Sequence, residues 1–189
     1  AKIPSSKVAG VKTTKRSSSY LTLSWSKLTG ASGYRIYRYN SSKKVYENVA
    51  TVSGENTISY KLSGLKAATE YKWKVRAYKK VNNVTTWGIS SSEYKDSTNP
   101  SKVSSLKLST KSSAVTLKWS KVSGVTGYQV YRYNSKTKKY DKIATVGSKT
   151  VSYTNKSLKK GTVQQYKVQA YKKYGSKIYY GESSAVAKI

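Results

Sequence analysis

The fold of this chain is decided by a repeat: GYRIYRYN, at residues 33–40, returns almost unchanged as GYQVYRYN at residues 127–134. The surroundings return too. Trp25 lies in the alternating run LTLSWSK, and Trp119 lies in the matching run VTLKWSK at the same offset of 94 residues. Self-similarity at a fixed offset is the mark of a duplicated unit. The chain is therefore two copies of one domain.

The offset also sets the domain boundaries. We place domain 1 at residues 1–98 and domain 2 at residues 99–189, and both lengths are usual for a domain with a single core. Pro100 and the small polar residues around it predict a short linker at residues 97–102. Pro4, Gly10 and their polar neighbours predict an irregular lead-in at the start of domain 1.

Apolar residues alternate with polar ones through most of each copy. Leu21, Leu23 and Trp25 fall on one side of an extended chain, and the same period of two continues without a break through residues 69–80. This period is typical of half-buried β-strands, and no segment shows helical spacing. The strands that we predict in the first copy are 11–13, 20–25, 33–39, 46–52, 58–62, 69–80 and 84–90. The prediction is an all-β chain of two tandem seven-stranded antiparallel β-sandwiches.

Together these residues resemble the fibronectin type III family, an immunoglobulin-like fold. The first copy carries the pattern in the order Trp25, Gly33-Tyr34-x-Ile36, Leu65, Tyr71-x-Trp73-x-Val75-x-Ala77 and Gly88; the second carries Trp119, Gly127-Tyr128-x-Val130, Leu158, Tyr166-x-Val168-x-Ala170 and Gly181. The resemblance implies that Trp25 and Trp119 are core residues and that the Tyr71 hydroxyl bonds back to the backbone before its strand. Gln164 stands at the matching position of the second copy and departs from that pattern.

The composition excludes most catalytic and metal chemistry. The chain has no cysteine and no histidine, so it lacks thiolate ligands, imidazole ligands and the usual bases of nucleophilic catalysis. Its seven carboxylates are scattered, and no pair of them recurs in both copies as a catalytic site would require. We therefore predict a non-enzyme that holds no cofactor and no metal.

The chain is strongly basic, with a net charge of +30. Such a charge attracts polyanions regardless of fold. Lysine greatly outnumbers arginine, although arginine is favoured for bidentate contacts to bases and phosphates, so we expect no specific nucleic-acid partner. No run of 18 apolar residues is present, and we expect no membrane span.

One surface stands out as a candidate ligand face: the solvent side of the sheet that contains the GY strand and the long strand. Aromatic rings and cations interleave there and could stack on flat ligands or pair with anions. The alternative is that these side chains only pack across strands, with lysine stems over tyrosine rings. The candidate residues are Tyr37, Tyr39, Lys74, Arg76, Tyr78 and Trp87 in the first copy, and Tyr131, Tyr133, Lys167, Tyr171 and Tyr180 in the second.

Two functions follow. The first is a spacer between neighbouring domains of one secreted or surface-exposed polypeptide, monomeric and cut from a longer protein. The second is adhesion to anionic glycans or cell-wall polymers through the candidate face. Modules rich in lysine, serine and tyrosine also resemble those of bacterial extracellular enzymes and surface proteins, often beside carbohydrate-active domains.

Overall fold

The computed structural model describes residues 7–156, 158–159 and 161–189. Within these ranges every regular element is a β-strand, which confirms the all-β prediction. No helix capable of crossing a membrane occurs among the described residues. Residues 1–6 of the predicted lead-in lie outside them.

The chain divides into two compact units. One runs to Leu65 and resumes over Glu70–Thr98, and the other consists of Lys66–Thr69 and Asn99–Ile189. We keep the names domain 1 and domain 2 for these units, which group Lys66–Thr69 with domain 2 and so differ there from the predicted boundary.

Domain 1 contains eight described strands in two antiparallel sheets. They are β1 Lys12–Arg16, β2 Leu21–Ser24, β3 Gly33–Asn40, β4 Val45–Ser53, β5 Ser59–Leu62, β6 Glu70–Val81, β7 Val84–Trp87 and β8 Tyr94–Ser97. One sheet has the order β1-β2-β5. The other has the order β4-β3-β6-β7, with β8 also paired to β6. Because β7 and β8 share one edge of β6, they are two halves of a seventh strand, and the seven-stranded sandwich is confirmed.

Domain 2 repeats this arrangement. Its described strands are β9 Lys107–Lys111, β10 Ala114–Lys118, β11 Gly127–Asn134, β12 Lys139–Gly147, β13 Ser152–Asn155, β14 Gln165–Tyr174, β15 Lys177–Ser183 and β16 Ala187–Lys188. The sheets have the orders β9-β10-β13 and β12-β11-β14-β15, and β16 pairs with β14 as β8 pairs with β6.

Each domain buries a core of its own between its sheets. In domain 1 the predicted alternation places Trp25 and Trp73 inside, and in domain 2 it places Trp119 and Tyr166 inside. Trp25 packs against the ring of Tyr34 with the ring centres 5.4 Å apart. The indole nitrogens of the three buried tryptophans find no hydrogen-bond acceptor among the described residues. Trp25, Trp73 and Trp119 are therefore core residues and not ligand platforms.

Glycine is required at the first position of the GY motif for a steric reason. A Cβ added at Gly33 would lie 2.1 Å from the carbonyl oxygen of Val52, and one at Gly127 would lie 2.2 Å from that of Val146. Only glycine permits this close approach of β3 to β4 and of β11 to β12. The repeat keeps its glycine because the sheet leaves no room for a side chain.

A buried ion pair closes one corner of domain 1. Arg16 donates from both terminal nitrogens to Asp96, at 3.0 and 2.7 Å, and the Asp96 side chain is only 2% exposed. Tyr94 donates a further hydrogen bond to this carboxylate at 3.0 Å. At the corresponding corner of domain 2, Thr110 and Gln164 line a surface cavity of about 390 Å³.

Two boundary predictions were wrong in domain 1. The strand predicted over 84–90 ends at Trp87, and β8 was missed, so that Ser97 belongs to a strand and not to the linker. The residues of β8 are polar and look like a loop in the sequence. They form a strand by pairing with β6, and Arg16, eighty residues earlier, neutralises the buried Asp96 within it.

Candidate functional site

The candidate residues lie on the outer surface of the larger sheet in each domain. The register places Arg35 opposite Arg76 and Tyr37 opposite Lys74 in domain 1, and it places Gln129 opposite Gln169 in domain 2. We call these surfaces the first face, built on β3, β4, β6 and β7, and the second face, built on β11, β12, β14 and β15.

The first face holds its arginines against an indole. Arg35 and Arg76 lie directly opposite each other, where like charges repel. Their guanidinium carbons are 4.1 and 5.6 Å from the centre of the Trp87 ring, within the range of cation–π attraction. Arg76 also donates from Nε to the carbonyl oxygen of Gly88 at 2.6 Å. The indole and this carbonyl thus fix two cations on the sheet.

A second cluster on the first face joins rings, lysines and one acid. The ring centres of Tyr39 and Tyr46 are 5.2 Å apart, with Lys72 Nζ 5.1 Å from the first ring centre and Lys74 Nζ 4.5 Å from the second. Tyr46 donates a short hydrogen bond to Glu93. Burial first, and then this bond, raises the pKa of Tyr46, and the same bond lowers the pKa of Glu93. At neutral pH the phenol is protonated and the carboxylate is charged.

The second face keeps the tyrosine pair but changes its surroundings. The ring centres of Tyr133 and Tyr140 are 5.3 Å apart, and Lys167 Nζ lies 4.5 Å from the Tyr140 ring centre and 5.6 Å from that of Tyr131. Gln165 takes the place of Lys72, and the Tyr140 hydroxyl donates to its Oε1 at 3.5 Å. On the second face the single lysine Lys167 therefore contacts two tyrosine rings. On the first face Lys72 and Lys74 contact one ring each.

Glutamines replace both arginines on the second face. Gln169 donates from Nε2 to the carbonyl oxygen of Gly181 at 2.8 Å, as Arg76 does to Gly88. Gln129 accepts from the Tyr131 hydroxyl at 2.6 Å. Burial raises the pKa of Tyr131, with a smaller contribution from nearby Tyr180, so its hydroxyl remains a donor at neutral pH.

An open depression forms where the arginines are missing. It has a volume of about 600 Å³ and is lined by Gln129, Tyr131, Tyr140, Asp141, Lys142, Gln169 and Tyr180. Gln129 is 8% exposed, whereas Tyr180 is 39% exposed. The floor is a buried amide and the wall includes an accessible ring, an arrangement that can hold a small polar ligand.

The structure brings all eleven candidate residues to the two faces. Tyr78 and Trp87 meet with ring centres 5.5 Å apart, and their counterparts Tyr171 and Tyr180 meet at 6.5 Å. Many of the cations are engaged by neighbouring rings or acids, in agreement with the packing alternative for the first face. The predicted backbone bond of the Tyr71 hydroxyl stays a prediction.

Sequence reasoning did not select Tyr46, Tyr140 or Gln129 as site residues. The tyrosines could have been found from hairpin pairing, because a loop at 41–44 puts Tyr39 opposite Tyr46. Alternation places Gln129 on the second face, but its burial carried no sequence signal, since that burial depends on residues contributed by other strands.

Elsewhere, no cluster of three acidic side chains occurs among the described residues. Glu55 accepts from the backbone nitrogen of Gly30 at 2.7 Å and from Lys27 at 3.0 Å. The backbone bond first, and then Lys27, lowers the pKa of Glu55. Glu47 is paired with Lys43. These acids stabilise local turns and do not converge on a common point.

Comparison with known proteins identifies the fold. Residues 6–92 match the family model of the fibronectin type III domain. The match covers most of domain 1. Domain 2 repeats the fold of domain 1 strand for strand, so the chain has the fold of two tandem fibronectin type III sandwiches.

A solved structure agrees with this assignment of the fold. The chain is similar to a two-domain fibronectin type III segment of chicken tenascin, at 17% identity and a TM-score of 0.60, covering 96% of this chain and 98% of that one. It also matches the FN1–FN3 domains of chicken CNTN1 at 20% identity and a TM-score of 0.45, covering 97% of this chain and 66% of that one. No curated protein matches the sequence significantly.

Proposed function

We propose that this chain is a non-catalytic accessory pair that acts as a spacer between other domains of a secreted or surface-exposed multidomain protein. The observation that carries the proposal is that each fibronectin type III domain buries a complete core of its own. A domain with a closed core folds as a unit and keeps its length under load. Fibronectin type III domains typically serve as accessory or linker modules, which supports this role.

Mechanical unfolding of the pair tests the spacer role. A tethered chain stretched in a force spectrometer is expected to show two separate unfolding events. Each releases roughly 300 Å of contour length, because about 90 residues extend by about 3.5 Å each. Destabilising variants in one domain supply the control, since they should weaken one event only. A single event for the whole chain, or extension without resistance, would count against a spacer of two independent units.

Adhesion is the second candidate, favoured by the rings and cations on both faces and by the net charge of +30. The partners proposed for it are cell-wall polymers and glycans, and the likeness to modules of bacterial extracellular enzymes stays part of this proposal. Adhesion could be diffuse attraction between charges or binding at a defined site. Retention on anionic wall polymer at about 0.05 M and about 0.5 M salt separates the two, because diffuse ion pairing weakens steeply with salt. No retention at either salt concentration would remove adhesion and leave the spacer role standing.

A further inference from the structure

An unsatisfied amide lies in the depression of the second face. Gln129 is 8% exposed, and its Oε1 is occupied by the Tyr131 hydroxyl at 2.6 Å. Its Nε2 makes no hydrogen bond to any residue in the described ranges. If the amide is turned over, Nε2 bonds to the tyrosine and Oε1 is left in its place, so one end of the amide lacks a partner in either orientation. Among the described residues, the fully buried side-chain atoms that lack a partner are three indole nitrogens, so this end of the Gln129 amide is accessible from the depression, where a ligand could bond to it.

The depression offers a ring beside this amide. Tyr180 is 39% exposed and lines the same depression as Gln129. Tyrosine supplies a flat apolar surface together with a polar hydroxyl. On the other side Asp141 accepts from Asn134 at 2.7 Å, and Lys142 completes the rim. An apolar wall with a few polar groups at fixed places is the usual form of a small-ligand site.

The polar groups favour neutral hydroxyls over anions. The first face has Arg35 and Arg76 at the positions of Gln129 and Gln169, and guanidinium only donates, which suits carboxylate and phosphate. An amide both donates and accepts, as a hydroxyl does. Asp141 adds an acceptor, and its charge offsets that of Lys142, so the lining of the depression has no net charge. The change from arginine to glutamine thus converts an anion-type surface into one that matches sugar hydroxyls.

We propose that the depression of the second face is a binding site for a neutral polysaccharide, with a pyranose ring on Tyr180 and a sugar hydroxyl bonded to the Gln129 amide. This rests on the adhesion candidate and goes beyond it, because it assigns the site to domain 2 alone and the ligand to uncharged sugars. The first face, whose indole is already covered by Arg35 and Arg76, lacks such a site.

The test uses the whole chain and its own repeat as the control. Hexasaccharides of β-1,4-linked glucose, N-acetylglucosamine, mannose and xylose are titrated by calorimetry at about 0.05 M and about 0.5 M NaCl, with polygalacturonate as the acidic comparison. Tyr180→Ala and Gln129→Leu are compared with Trp87→Ala, the matched substitution on the first face. Thermal unfolding of every variant checks that both domains are folded.

The expected result is binding of at least one neutral hexasaccharide at both salt concentrations, weakened about tenfold or more by Tyr180→Ala and unchanged in Trp87→Ala. Gln129→Leu should weaken hexasaccharide binding similarly. If Gln129→Leu unfolds domain 2, the result for Tyr180→Ala decides between the outcomes, because Tyr180 is exposed and its substitution leaves the core intact. Binding of a neutral sugar that survives Tyr180→Ala would overturn the site while leaving adhesion intact. Binding of polygalacturonate alone, lost at high salt, would overturn the neutral ligand and leave only diffuse charge. Binding of nothing would overturn the site, while retention on wall polymer decides adhesion separately.

Discussion

Domain 1 and domain 2 have the same strands in the same order, yet they stabilise equivalent polar positions in different ways. Domain 1 relies on charge: Arg16 with Asp96 at one corner, and Arg35 with Arg76 around Trp87 on its face. Domain 2 relies on amides and hydroxyls, and it leaves a cavity and a depression where the charged groups of domain 1 would lie. The duplicated fold therefore tolerates the replacement of charged side chains by amides and hydroxyls at equivalent surface positions, since the two cores are nearly the same.

The largest difference in stability between the two domains should follow a substitution in the Arg16–Asp96 ion pair. Asp96→Ala removes a carboxylate that is 2% exposed and takes away both charge-assisted hydrogen bonds of the Arg16 guanidinium to it. We expect domain 1 to lose about 3 kcal/mol of unfolding free energy, the low end for a broken buried pair because Arg16 is partly exposed. Urea denaturation followed by NMR resonances assigned to each domain measures it.

Gln164→Ala is the comparison variant at the same corner of domain 2, where Gln164 takes the place of Tyr71 and its backbone pairs with Ile189. The Gln164 side chain donates to Thr162 in its own loop, so its loss should cost about 1 kcal/mol or less. Equal losses from the two substitutions would show that the charged corner adds nothing to domain 1.

The next largest effect concerns the GY glycines. Gly33→Ala and Gly127→Ala should each destabilise their domain by about 2 kcal/mol or more, since the new methyl group overlaps a backbone oxygen. Domain 1 should lose more, because the methyl at Gly33 also lies 2.6 Å from the Tyr78 hydroxyl, whereas that at Gly127 lies 3.1 Å from Tyr171. Thermal unfolding of the two single variants gives the order, and the reverse order would contradict this account of the close approach.

Replacing the paired arginines of the first face by the glutamines of the second should have a smaller effect on the unfolding free energy. Arg35→Gln with Arg76→Gln removes both cations from Trp87 and should cost domain 1 about 1 kcal/mol, the value of exposed cation–π contacts. The indole should also become more accessible to an acrylamide quencher.

The reciprocal change, Gln129→Arg with Gln169→Arg, places two opposed cations beside Tyr180 without an indole between them. It should destabilise domain 2 and not stabilise it, because like charges directly opposite repel. Stabilisation of domain 2 by this double substitution would show that the arginine pair needs no tryptophan.

The smallest difference between the two domains should be in the stability that each loses at low pH. The pKa of Glu93 is lowered by the Tyr46 hydrogen bond, and a carboxyl with a lowered folded pKa stabilises the protein above its unfolded pKa. That contribution is lost as the pH falls from the usual glutamate value of 4.5 through the lower folded value. Thermal unfolding of domain 1 should therefore show a slightly smaller acid loss in Glu93→Gln than in the native chain. An acid loss unchanged by this substitution would mean that the bond to Tyr46 does not stabilise the fold.

The face shows where sequence reasoning succeeds and where it stops. Alternation along β3 and β6 correctly placed Tyr37, Lys74 and their neighbours on one surface, because successive side chains of a strand point to opposite sides. It could not reveal that Trp87 lies between two arginines, since that contact requires the edge strand β7 to be in register with β6. It placed Gln129 on the second face but could not reveal its burial, because the environment of Gln129 is made by residues from other strands.

The sequence by itself determined the duplication, the all-β class, the seven-stranded sandwich and the identity of the core tryptophans. All of these follow from a period of two and a repeat offset, which are local properties of the chain. Only the tertiary structure decided that β8 is a strand, that Asp96 is paired with Arg16, and that Gln129 is buried with one end of its amide free. Each of these depends on contacts between residues far apart in the chain, and their energy comes from burial and charge pairing that exist only once the sheets have packed.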